Sequence, residues 1–216
     1  MSATLDSLTV TGTVTLSGTF VWPTTFSGNG CPRAQITQED SQKYDLPLKD
    51  FVVHDAPATA LPGTAAADDF GVYGVTFGTD AIHLRTIDEK GNLGTHSVRG
   101  RTTFRLPKQY VAGQPVQIVV AAGMMTTVAD TTATVDVECH LAHTTDGTVG
   151  ADLVTTSAIT INVLPAALKT FTVNPAGLNP GDLLEIRIST TIHDNATGTA
   201  VIGRVNAAYV LCSTKG

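Results

Sequence analysis

Between Leu8 and Phe20 the chain alternates. Leu8, Val10, Val14, Leu16 and Phe20 fall on even positions, and Thr9, Thr11, Thr13, Thr15, Ser17 and Thr19 on odd ones. A period of two is that of a β-strand with one apolar and one polar face. The stretch carries no charge and no proline, so left exposed it is an aggregation hazard by edge pairing. Behind it come the turn-rich "FSGNGCP" and the polar "AQITQEDSQKY", a loop or one short helix. Residues 1–43 are therefore read as an N-terminal arm, and residues 44–216 as the body.

In the body, "LPLKDFVVHD" reads as a first strand, closed by the small-residue loop "APATALPGTAAADD". "FGVYGVTFG" is a bent strand or a close crossing, and "AIHLRTID" runs into the turn "EKGN". "VRGRTTFRLP" alternates until Pro107. "QPVQIVVAAGMM" is a buried strand. "TATVDVECHLAH" places Val135, Val137, Cys139 and Leu141 on one face, with Asp136, Glu138 and His140 on the other. "LVTTSAITINV" and "LKTFTVNP" follow. "LLEIRISTTIHD" sets Leu184, Ile186, Ile188 and Ile192 on one face before the last strand, "AVIGRVNAAYVLCS". No segment keeps a helical period with caps. About eight strands with turn signals every ten residues or so predict an all-β, antiparallel sandwich. Long crossing loops favour a single jelly roll over an up-and-down barrel.

Composition sharpens this picture. Charged residues make up 15% of the 216 residues, against about 25% in typical soluble proteins. Such a surface is uncharged polar, or is covered by a partner. A net charge of −6 argues against nucleic acid, which needs a basic footprint. No apolar run reaches the roughly 20 residues of a membrane-spanning helix. No basic segment followed by an apolar core opens the chain, so synthesis is expected in the cytoplasm of the producing cell. Cys31, Cys139 and Cys212 form no CxxC pair and are read as buried free thiols.

Candidate chemistry is sparse. The sequence lacks GxSxG, HExxH, the Walker lysine loop and the dinucleotide glycine pattern. His140 and His143 stand near Cys139 and Asp146, yet in a strand His140 and Cys139 face opposite ways, which disfavours a metal shell. "DGTVGAD" is oxygen-rich like a calcium loop but simpler as a hairpin turn. No cofactor, metal site or catalytic residue is assigned, and the chain is expected not to be an enzyme. Arg99, Arg101 and Arg105 share one strand face; they form either a solvated face or a stripe that docks on an acidic partner. Sugar binding would call for exposed aromatics, and aromatics are 6% of the chain.

The segments "LDSLTVTGTVTLSG", "FRLPKQYVAGQPVQIVVAAGM", "ATVDVECHL", "GADLV" and "LNPGDLLEIRIST" together resemble the virion structural proteins of tailed bacteriophages, in particular head decoration (cement) proteins with a jelly-roll body. The resemblance covers most of the chain as pattern and composition. It implies a non-catalytic capsid decoration protein on the outside of a phage head, forming a homotrimer and contacting the major capsid protein. A tail or fibre module and a carbohydrate-binding sandwich for host attachment are the alternatives. The alternating strand either completes the chain's own sheet or, the option favoured here, pairs with another subunit by strand addition, with Leu8, Val10, Val14, Leu16 and Phe20 as the partner contacts of the arm. Arg99, Arg101 and Arg105 are the second candidate contact.

Overall fold

The computed structural model describes residues 39–74, 76, 78–143 and 145–215. The alternating strand with Leu8, Val10, Val14, Leu16 and Phe20 lies outside them, as does Cys31. Strands are numbered in chain order. One antiparallel sheet runs β2 (Gly71–Tyr73), β3 (His83–Arg85), β11 (Gly203–Lys215), β5 (Val116–Met124) and β9 (Ala167–Val173), with β1 (Glu39–Asp45) paired along the C-terminal part of β11. The second runs β4 (Thr95–Arg105), β10 (Leu183–His193), β6 (Thr132–Ala142) and β7 (Val149–Asp152), with β8 (Ile159–Thr160) beside β6.

The pairing is nested once the short β2, β3 and β8 are set aside. β1 pairs with β11, β4 with β10, β5 with β9 and β6 with β7. That is one long hairpin rolled into two sheets, the wrapping of a jelly roll. The alternation seen in the sequence drives it. In β10, Leu184, Ile186, Ile188 and Ile192 are buried, and so is Thr190 between them. They meet Val135, Val137 and Cys139 of β6, and face Ile118, Val120 and Met124 of β5 and Val210 of β11 in one core. Burying each such side chain stabilises the fold by about 1.5–3 kcal/mol relative to leaving it exposed. Cys139 and Cys212 are free, buried thiols, and burial pushes them up to about 12 and about 11. They stay protonated at neutral pH and are poor nucleophiles.

Two readings of the sequence need correction. "LPLKDFVVHD" is not a strand: Leu48–Asp50 is a 3-10 turn, and Val52 makes only isolated bridges to Ala60 and Arg101. Its apolar residues Leu48, Phe51 and Val53 are buried as a plug at the rim of the sandwich. Hydrophobic spacing reported their burial and not their hydrogen-bond partners. The first strand is instead "EDSQKYD", whose beginning was assigned to the arm and read as loop or helix. Among the described residues its strand partner is β11, and four of its seven side chains are charged, so it carries no apolar period.

Candidate functional site

The two outer faces of the sandwich differ in chemistry. The register β4–β10–β6 sets Arg101 opposite Arg187 and Arg187 opposite Glu138, while Glu185 lies between Thr103 and His140. All of these side chains point outward, alternating with the core residues of the same strands. Two guanidinium groups directly opposite one another repel. Glu185 resolves this by accepting from Arg187 Nε at 2.8 Å and from Arg101 Nη1 at 3.3 Å. Arg187 Nη1 reaches Glu138 at 3.3 Å, and His140 Nε2 lies 3.3 Å from the same oxygen. Burial works against the charged form of Glu185, but the hydrogen bonds and charges of Arg187 and Arg101 outweigh it and hold the carboxyl below its ordinary range. Replacing Glu185 by alanine leaves Arg101 and Arg187 opposed in a half-buried setting. It is expected to lower the unfolding free energy by about 2 kcal/mol, read by denaturant titration.

Over this face folds the loop that follows the 3-10 turn. Arg99 N–H donates to the Asp68 carbonyl at 2.8 Å, and its guanidinium lies 3.2 Å from the Asp68 carboxylate. The result is a cleft of about 390 Å³ lined by His54, Ser97, Arg99, Glu138, Arg187 and Ser189. Burial lowers the pKa of His54, and the positive charges of Arg99, Arg187 and Arg101 lower it further against the opposing pull of Glu138. Its imidazole is therefore neutral at physiological pH. Ser97 Oγ is engaged with Thr191 Oγ1 at 2.7 Å. The arrangement is a polar recess in which Arg99 is matched by Asp68, and Arg187 by Glu138 and Glu185.

The stripe expected from sequence does share one face. Arg99 is matched by Asp68, Arg101 by Glu185, and Arg105 Nη1 donates to the Gly181 carbonyl at 2.7 Å. The carboxylates arrive from segments that no local motif connects to β4. His140, read as part of a solvated face, is buried. β7 crosses beside it, and Nδ1 lies 3.0 Å from the Gly150 carbonyl and donates to it. In "DGTVGAD", Asp146 accepts from Thr148 N at 3.0 Å and Asp152 from Cys139 N at 2.9 Å, as a turn and a strand clip. Among the described residues, no three His, Cys, Asp or Glu side chains are grouped to hold a metal ion.

The other outer face is uncharged at its centre. Leu168 and Thr170 of β9 lie beside Ala121 and Val119 of β5, and these lie beside Ala207 and Tyr209 of β11. Lys43 and Asp45 at the β1 rim pair with each other at 2.9 Å. Leu168 is 62% exposed. Just before β9, Val163 and Leu164 are also exposed. That strap lies against Gly123, where a Cβ would come within 2.5 Å of Ala166 Cα, so only glycine admits the close crossing.

Comparison with solved structures finds distant likenesses at low identity. The CBM22-1 xylan-binding domain from Paenibacillus barcinonensis Xyn10C matches with a TM-score of 0.40 at 10% identity, over 81% of this chain and 94% of that one. The K1 cleaved adhesin domain of Lys-gingipain from Porphyromonas gingivalis W83 gives 0.36 at 11%, over 80% and 97%. A chain of the infectious bursal disease virus Gt strain gives 0.33 at 10%, over 69% and 39%. No protein-family model matches the sequence, and no curated protein matches it.

Sequence reasoning missed a polar cluster at one end of the sandwich. Asp194 is fully buried. Its carboxylate accepts from Gly91 N at 2.8 Å, from Asp130 N at 3.1 Å and from the Thr197 hydroxyl. Glu89, also buried, accepts from Asn92 Nδ2 at 2.7 Å and contacts His96 Nδ1. These carboxylates staple the turns after β3, β5 and β10, which is a structural task. The nearest sequence signal is the Asp-Asn turn pair at 194–195, which marks a turn but names no partner.

Proposed function

We propose that this chain is a non-catalytic structural protein of a phage virion, a capsid decoration protein that works as a homotrimer on the outside of the head and contacts the major capsid protein. One observation supports self-association: the outer face of the β9–β5–β11 sheet is uncharged across Leu168, Thr170, Ala121 and Ala207, with the nearest charge, Lys43, over the Tyr209 ring at the rim, whereas the opposite face closes its charges on itself. Lasting interfaces are depleted of charge at their centre, and a closed ring avoids open-ended polymers. The step from a self-associating sandwich to a phage head rests on the resemblance of the sequence segments to cement proteins. The small-residue loop from Ala56 to Ala67 and the arm residues Leu8, Val10, Val14, Leu16 and Phe20 are assigned to contacts between subunits. A sugar-binding role is less well supported, because the aromatic side chains among the described residues are buried or half-buried rather than fully exposed for stacking on a sugar ring.

Immunogold labelling of intact virions tests the proposal. Gold over the head is the expected result. Gold on the tail assigns the chain to a tail or fibre module, and glycan-array binding without virion labelling overturns the structural reading altogether.

A further inference from the structure

We infer that the free edge of β9 is the acceptor for the alternating Leu8–Phe20 strand of a neighbouring copy. This deepens the trimer reading and rests on it. Among the described residues β9 is the last strand of its sheet, with β5 on one side and only the Val154–Val173 bridge on the other. Its C-terminal end is capped: Thr155 N donates to the Thr172 carbonyl at 2.9 Å, and Thr172 N donates to Thr156 Oγ1 at 2.9 Å. Because strand geometry repeats every second residue, Leu168 and Thr170 turn their N–H and C=O groups to the same side as Thr172. Among the described residues neither has a partner there. The edge therefore offers main-chain groups beside an exposed Leu168 and the exposed Val163 and Leu164 of the strap.

The edges at β1 and β7 are poorer acceptors. β1 is "EDSQKYD", charged along its length, and β7 spans only Val149–Asp152. Charge and shortness are the usual protections of an edge. β9 carries one charge, Lys169, paired in register with the core residue Val120 and so on the inner side of the sheet. Two β9 edges brought together would set lysine near lysine on that side. They would also be related by a two-fold axis, which builds a dimer and not a trimer.

The Leu8–Phe20 strand fits both faces of this edge. Its apolar positions continue the Leu168 side. Its threonine hydroxyls stand on the Lys169 side, where they accept hydrogen bonds from the ammonium group. Residues 21–38, which join the strand to β1, extend to about 60 Å at full length. That length spans the width of a sheet and the gap to a neighbour. A head-to-tail contact of arm on edge is heterologous, the class of contact from which a three-membered ring is built when its rotation closes.

The test uses full-length variants and sedimentation. Thr170→Pro removes an outward N–H that the body does not use, and proline is tolerated at such edge positions. Leu168→Lys places a charge on the docking side. Both are expected to sediment as monomers with the melting temperature of the body within about 2 °C of the parent. A trimer that persists in both variants overturns the inference. If Thr170→Pro fails to fold, Leu168→Lys decides alone. Hydrogen exchange gives a second reading: the amide of Thr170 is expected to gain protection, by tenfold or more, only in the oligomer. Virion labelling tests the location and these measurements test the edge, so the two fail separately.

Discussion

Replacing Asp194 by alanine is expected to lower the unfolding free energy by about 3 kcal/mol or more, which is the largest single-site loss outside the apolar core. Three donors lose their acceptor at once: the Gly91 and Asp130 amides and the Thr197 hydroxyl. Each buried donor left unsatisfied costs about 1–3 kcal/mol, and bonds to a charged acceptor lie at the upper end. The turns after β3 and β5 are then released together, because both hang on the same carboxylate. The effect has a definite pH dependence. Burial works against the charged form of Asp194, but the hydrogen bonds from Thr197, Gly91 and Asp130 prevail and hold its pKa below the ordinary 3.8. A depressed carboxyl stabilises the fold above its unfolded pKa and loses that contribution as pH falls through the folded value. The gap between the parent and Asp194→Ala is therefore expected to be full at pH 6 and to shrink below about pH 4. Asp69 and Asp136 act in the opposite sense, since burial raises both. Acid unfolding curves of parent and variant measured side by side provide the check.

The second large effect concerns assembly. Val14→Asp puts a charge in the middle of the apolar face of the arm strand. Burying an unpaired carboxylate costs several kcal/mol, while each edge hydrogen bond contributes only about 0.5–1.5 kcal/mol. The balance for an ordered arm is narrow from the start, because fixing each residue costs about 1–2 kcal/mol. The variant is expected to express as a folded body that melts like the parent, yet to fall apart into monomers and to bind capsids weakly. Circular dichroism melts combined with capsid co-sedimentation measure both halves. If Val14→Asp unfolds the whole domain, the strand belongs to the core of the body and the exchange of arms fails.

How far the sequence could be read follows from what kind of signal each element carries. β10 and β6 were legible because both bury one face, so "LLEIRISTTIHD" and "TATVDVECHLAH" alternate. The sandwich class followed from strand number and turn spacing, and the jelly-roll wrapping from the long crossing loops. β1 was hidden because an edge strand with polar side chains has no apolar period. Leu48, Phe51 and Val53 misled for the converse reason: a plug can bury residues without joining a sheet. The common face of Arg99, Arg101 and Arg105 was visible in the spacing, but their carboxylate partners were not, since Asp68 lies 31 residues from Arg99 and Glu185 lies 84 from Arg101. The Asp194 staple joins turns 64 and 103 residues apart, and no local pattern encodes such a bond.

The central claim is that the molecule is built to assemble with copies of itself. Sedimentation of the purified full-length chain tests it most directly. The account predicts one species near three times the chain mass of 22.5 kDa, stable on dilution. A single species at 22.5 kDa across the whole concentration range would contradict it.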